Sequence, residues 1–242
     1  MLLEVGALLM SSGATTSRVR NTVHRISSAF GYNTDMLITN RAITLSINDE
    51  NDQHLFNSLK RTSPHGVNFK IVSGISRMSW RVVKEGWTLE QINQELDRLT
   101  SLLHYPRLLV LSVVGLAGAS FCRLFGGSFL EMAVTFLATF SGLFVRQFAV
   151  KKEFNPYLCV FFASFTASMI SGLFRKLGVG ETMEHAFTAS VLFLIPGVPL
   201  INTFTDMLDG NILNGMVRGI NGLLIAFAIA LGLLGAMVIY RF

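Results

Sequence analysis

Charge is scarce in this chain. Asp, Glu, Lys and Arg make up 14% of its 242 residues, against ~25% in a typical soluble domain. Hydrophobic residues fill 51% and the mean hydropathy is +0.50, too apolar for an ordinary soluble protein of this size. Cysteine is nearly absent: Cys122 and Cys159 lie inside apolar runs, form no CxxC pair and read as two free, buried thiols. No run of Lys and Arg interleaves with aromatics, so the net charge of +5 carries no nucleic-acid signal. The opening Met1–Met10 is apolar but holds Glu4, and it has neither a basic n-region nor a small-residue cleavage site, unlike a signal peptide. The chain has no HExxH and no glycine-rich phosphate loop, and a Gly-x-Ser-x-Gly elbow starting at Gly74 fails at Met78. His24, His54, His65 and His104 show no metal-ligand spacing. These absences point away from an enzyme, a metal centre, a bound cofactor and a nucleic-acid partner.

What charge there is lies unevenly. Residues 1–107 hold 12 of the 20 basic and 9 of the 15 acidic side chains. The remainder keeps 8 and 6, mostly at the edges of apolar runs. The division is a polar head over residues 1–105 and a membrane body over residues 106–242. Five apolar segments are expected to span a bilayer, at roughly 108–125, 129–145, 157–174, 186–204 and 217–240. At about 1.5 Å per residue, spans of about 17–24 residues reach about 25–36 Å, enough for the ~30 Å hydrocarbon core. With the head in the cytoplasm, the inner side collects Arg98, Arg107, Arg146, Lys151, Lys152 and Arg218, and the outer side Arg123, Arg175, Lys176 and Arg241. Basic residues favour the cytoplasmic side, so the head is placed inside and Phe242 outside.

The fourth segment carries the most information: Leu192-Phe-Leu-Ile-Pro-Gly-Val-Pro-Leu-Ile-Asn-Thr-Phe-Thr-Asp206. Pro196 and Pro199 lack backbone donors and Gly197 weakens a helix. In lipid an open backbone must pack in protein or line a cavity, and transporters build midplane sites on such broken helices. Asn202, Thr203 and Asp206 follow the break; a plain packing kink is the alternative. Asp206 is read as a carrier of a coupling proton, a partner for a substrate ammonium, or a loop residue. Arg146, at the end of the second segment, faces either a substrate carboxylate or lipid phosphate. His185, beside Glu184, reads as an interface residue. Rows of small residues suit close helix packing: Ala163, Ala167 and Ser171; Ser164, Ser168 and Gly172; and Gly215, Gly219, Gly222, Ala226 and Ala230. The last row also makes the final helix a candidate for contact with another subunit.

The head reads as a small mixed α/β domain. A helix starts at Thr16-Ser17, carries Val19, Val23, Ile26 and Phe30 on one side and ends at Gly31. Strands are expected over residues 35–39, 42–47 and 53–60, with a turn at residues 48–52. A helix over residues 71–83 precedes a second helix, which starts at Thr88-Leu-Glu-Gln91, a capping-box pattern, and runs to Leu103.

Four stretches carry a resemblance. They are Ser12-Gly-Ala-Thr-Thr-Ser-Arg-Val19, Asn40-Arg-Ala-Ile43, His104-Tyr-Pro-Arg107, and Ile195-Pro-Gly-Val-Pro-Leu-Ile-Asn202 with Asp206 and Gly210. Over essentially its whole length the chain resembles the threonine/serine exporter (ThrE) family, in particular the longer subunit of its split, two-chain form. The resemblance implies an α-helical polytopic membrane protein of the bacterial inner membrane with five transmembrane helices, the fourth broken by Pro-Gly-x-Pro, and an N-terminal mixed α/β cytoplasmic domain. It also implies a second, smaller membrane protein as partner, with room for a homo-oligomer. The implied activity is export of small metabolites: threonine and serine, or small dicarboxylates such as succinate. Family members carry more residues before the Gly-Ala motif, so an abbreviated first helix is expected. The site is expected at Pro196, Gly197, Pro199, Asn202, Asp206 and Arg146. The alternative is a membrane sensor or assembly subunit with no transport site of its own.

Overall fold

The computed structural model describes residues 1–48, 54–63, 66–102, 105–179 and 183–241, and for His54 and Leu55 the backbone alone. The turn expected at residues 48–52, His65, His104, the helix end at Leu103, Phe242 and part of the connection from Arg175 to Glu184 therefore lie outside the described residues. The chain divides into two units: Met1–Leu103 with Gly197–Ile220, and His104–Pro196 with Asn221–Phe242.

In the first unit, α1 (Leu2–Ser11), α2 (Thr16–Ala29), α3 (Phe69–Glu85) and α4 (Leu89–Thr100) accompany a three-stranded antiparallel sheet. Its strands β1 (Asn33–Ile38), β2 (Ala42–Asn48) and β3 (His54–Arg61) run in chain order, with Ile38 opposite Ile43 and Leu45 opposite Ser58. Alternation along β2 turns Ile43 and Leu45 inward, where they join Val19, Val23 and Ile26 of α2 and Val72, Ile75 and Met78 of α3 in one core. Thr88 and Gln91 close the capping box that starts α4, which satisfies two of the orphan donors at that helix end. Gly31 adopts φ 77°, a left-handed conformation that glycine takes without a Cβ clash. The unit also contains α9 (Gly197–Leu208) and the first part of α10 (Ile212–Tyr240).

The second unit is built on α5 (Arg107–Leu124), α6 (Phe129–Lys151) and α7 (Pro156–Lys176), with short α8 (Glu184–Ala189), a 3₁₀ turn at Leu192–Leu194 and the rest of α10. Among the described residues four helices, α5, α6, α7 and α10, are long and apolar enough to cross a membrane. The count reaches five only if Glu184–Leu194 and Gly197–Leu208 together form one bent span. One expectation needs correction. The second span does not end at residue 145 but runs on to Lys151, because Arg146 and Gln147 are good helix formers and no breaker intervenes. Arg146 is thus an interior residue. The fourth segment is α-helical to Ala189, passes through the 3₁₀ turn at Leu192–Leu194 and resumes as α-helix at Gly197, with a bend of 58° between Glu184–Leu194 and Gly197–Leu208. Pro199 sits in the first turn of α9, where its missing N–H would have no intrahelical partner anyway.

Small residues set the helix spacing in this unit. A Cβ on Gly142 would lie 2.8 Å from the Ala163 carbonyl oxygen, and one on Gly232 2.7 Å from the Phe165 nitrogen. Side chains meet carbonyls across these contacts. The Ser164 hydroxyl donates to the Ile229 oxygen at 2.8 Å and the Tyr240 hydroxyl to the Met169 oxygen at 2.9 Å. Near the break, Thr139 donates to the Ser190 oxygen at 3.2 Å and Ser171 to the Ala186 oxygen at 3.4 Å. The first of these answers a carbonyl at the end of the interrupted helix, while Ala186 also accepts from the Ser190 N–H. The row on α10 is divided: Gly215 and Gly219 pack on Thr203 and Met207 in the first unit, while Ala226 and Ala230 stay exposed. Gly232→Leu is expected to cost about 1–3 kcal/mol through overpacking, read as a lower thermal midpoint in detergent. Leu234→Ala, on the exposed side of the same turn, should stay near wild type; equal losses would contradict this packing.

Candidate transport site

Asp206 is fully buried. A carboxylate removed from water must be matched by donors or cations, and the first unit supplies both. The Thr16 backbone N–H donates to Oδ1 at 2.8 Å and the Thr16 hydroxyl to Oδ2 at 3.1 Å. The Arg218 guanidinium approaches Oδ2 with Nε at 3.3 Å. Thr16 is the first residue of α2, whose local cap is Thr15, accepting from the Arg18 N–H. The Thr16 N–H is one of the donors that a helix leaves unpaired at its start, and an anion is favoured at that end of the helix dipole. Asp206 of α9 thereby completes the cap of a helix 190 residues away in sequence.

The neighbours extend this arrangement. Asn202, one turn earlier on the same face of α9, donates its amide to the Gly13 oxygen at 2.8 Å. Arg218 donates a second bond to the Ala14 oxygen at 2.9 Å. Asn214 reaches the Thr16 hydroxyl at 3.2 Å and the Ile38 oxygen at 2.9 Å. Asn211 bridges the Ser17 hydroxyl and Arg20. Gly13 takes φ 89°, and a Cβ there would meet the Gly66 oxygen at 3.0 Å. Only glycine fits, which explains a Ser-Gly-Ala turn at this point.

Of the residues expected at the site, Gly197, Pro199, Asn202 and Asp206 fall in the first unit, where Asn202 and Asp206 share one face and grip the loop before α2. Pro196 and Arg146 belong to the second unit. Arg146 is half-buried on α6, near Cys159 of α7, and has no hydrogen-bond or ion-pair partner among the described residues. His185 lies 3.2 Å from buried Glu131, which also closes the capping box of α6 with Ser128. The buried Ser168 hydroxyl of α7 has no partner among the described residues. Sequence reasoning missed Thr16, Asn214 and the pairing role of Arg218. The signal for Arg218 was present, since an arginine inside a long apolar helix calls for a buried counter-charge.

Four apolar helices of spanning length, beside a unit that carries a small sheet, are the make-up of a multi-pass membrane protein. The family model described as "Putative threonine/serine exporter" matches residues 1–240, and the chain belongs to that family. It is 30% identical to the "Probable succinate transporter subunit YjjP" of Escherichia coli (strain K12), over 99% of this chain and 93% of that protein. It is 28% identical to the Klebsiella aerogenes protein of the same name, with the same coverage. It is also 24% identical to the "Threonine/serine exporter" of Corynebacterium glutamicum, over 95% of this chain and 48% of that protein. No solved structure matches the chain.

Removing one partner from a buried pair leaves the other charge unmatched, at a cost of about 3–5 kcal/mol. Asp206→Ala and Arg218→Met should each lower the thermal midpoint strongly, and the double variant should lose less than the sum of the two. Additive losses would mean that the two side chains do not interact.

Proposed function

We propose that this chain is one subunit of a secondary exporter of small metabolites, either threonine/serine-type amino acids or small dicarboxylates such as succinate. It works with a second, smaller membrane subunit in the bacterial inner membrane, with its N-terminal domain in the cytoplasm. The observation that carries this reading is the buried Asp206 of α9, the helix that restarts after Pro196, paired with Arg218 of α10. Ionisable residues buried in apolar helices mark ion and substrate pathways, and interrupted helices offer backbone dipoles to a substrate. The likeness to the succinate transporter subunit favours an anionic substrate. The word subunit in that name, and coverage of about half of the C. glutamicum exporter, support a second chain.

Each expected residue then has a role. Pro196, Gly197 and Pro199 shape the break and the N-terminal end of α9, whose partial positive charge suits a carboxylate. Arg146 supplies a guanidinium not committed to another described residue. Both oxygens of Asp206 are held in this conformation, so Asp206 acts by exchange: a proton or a substrate ammonium replaces Thr16 and Arg218, freeing α9 from the loop at residues 12–16. Proton binding at that carboxylate couples export to the proton gradient. The alternative is an assembly or sensor subunit. In it Asn202 and Asp206 serve to hold the loop at residues 12–16 on α9.

Efflux of threonine, serine and succinate from loaded cells lacking their own exporters separates the two readings. Export is expected only when this chain and its partner are expressed together. Arg146→Gln should raise the half-saturating succinate concentration about 10–100-fold, the worth of one charge-assisted hydrogen bond, without changing thermal stability. Asn202→Ala should abolish flux while the complex still assembles. No efflux of any substrate from a folded complex would favour the assembly reading.

A further inference from the structure

The outward face of α3 carries a cluster of exposed basic side chains. Arg77, Arg81 and Lys84 stand on successive turns around Trp80, and with Glu85 they line an open groove of about 480 Å³. Arg25 of α2 stacks its guanidinium 3.9 Å from the centre of the Trp80 ring and donates to the Ser79 hydroxyl at 2.8 Å. Among the described residues Arg77, Arg81 and Lys84 make no hydrogen bond and no ion pair, and Arg81 has only a ring contact with Trp87, at 5.6 Å. The nearby acids are already engaged. Glu85 accepts the Trp87 indole N–H at 2.8 Å, and both oxygens of Glu95 accept from Arg98 at 2.6 Å. Hydrogen bonding to Arg98 outweighs burial and, with the charges of Arg98, Arg81 and Arg77, holds the Glu95 carboxyl below the usual range. With three cations against Glu85 the groove lining keeps a net positive charge. Trp80, which also lines it, is 49% exposed, a large apolar group beside those cations.

We propose that this face binds an anionic phospholipid of the bilayer that holds the protein, with the phosphate among Arg77, Arg81 and Lys84 and the Trp80 ring at the headgroup level. Two features of the groove select this partner. Basic side chains are drawn to an anionic membrane surface. An exposed indole next to them suits the boundary between headgroups and acyl chains, whereas a site for a free anion has no need of it. The chain's own apolar helices keep such a surface within reach at all times. The proposal is independent of the substrate exported.

The chain has two tryptophans, so Trp87→Phe leaves Trp80 as the sole reporter in the full-length protein. This variant is reconstituted in nanodiscs of phosphatidylglycerol or phosphatidylcholine, each with and without brominated acyl chains. Trp80 emission is expected to be quenched by brominated phosphatidylglycerol, and much less by brominated phosphatidylcholine. In mixed discs, neutralising one of the three cations to Gln should raise the anionic lipid fraction needed for half-quenching, up to about fivefold per cation. The triple variant Arg77→Gln, Arg81→Gln, Lys84→Gln should lose the preference for anionic lipid while keeping the parent's thermal midpoint. Equal quenching in both lipids, no quenching in either, or a triple variant that still prefers anionic lipid would overturn the proposal. So would a Trp80 emission change on adding inorganic phosphate to phosphatidylcholine discs that phosphatidylglycerol fails to reproduce, since the site would then serve a soluble anion.

Discussion

A carboxylate with no access to water governs the first unit. Because Asp206 cannot be left unmatched, the chain must bring the start of α2, the loop at residues 12–16 and Arg218 to one place. The requirement reaches back into local structure. Asn202 and Asp206 are four residues apart, so they share a face only if α9 is helical through both, which the restart at Gly197 ensures. The Ser-Gly-Ala turn presents two carbonyls, those of Gly13 and Ala14, to Asn202 and Arg218. Thr16 presents its amide and hydroxyl to the carboxylate. Each polar group in the cluster completes another, so the cluster gains or loses its members together.

The second unit answers a different constraint. In an apolar medium backbone groups freed by an interrupted helix have few partners. Here the Ser190 carbonyl receives a hydroxyl from Thr139, and the Ala186 carbonyl, already bonded by the Ser190 N–H, receives a second donor from Ser171. Glycines and alanines at the crossings let those short side chains reach. The Ser190 end of the interruption is therefore held by its neighbours.

Much of the head was legible because its signals are local. Alternation in Ala42–Asn48 and the Thr88–Gln91 capping box each act within a few residues, and both elements formed where the pattern put them. The membrane helices were legible from apolar length, but their ends were not. Arg146 looked terminal because charge usually closes a span, yet helix propensity carries α6 past it, and α10 begins at Ile212, ahead of the expected segment. Pro196 lies in the bend between Leu194 and Gly197, while the earlier change from α-helix at Ser190 has no residue that signals it. The Thr16–Asp206 contact was illegible in a stronger sense. Both motifs were visible, but nothing in either one's spacing says that they meet. Only the burial of Asp206 makes the partner necessary, and burial is a property of the fold.

The most direct measurement is hydrogen exchange at the start of α2, in the full chain and in Asp206→Ala, on peptides containing Thr16. In this account the Thr16 amide is protected by a carboxylate 190 residues away. The variant should lose protection at the residues around Thr16 and along α9, while the α3 and α4 peptides keep theirs. Unchanged protection at Thr16 in a folded Asp206→Ala protein would contradict the account, because α2 would then be capped by something other than the helix after the break.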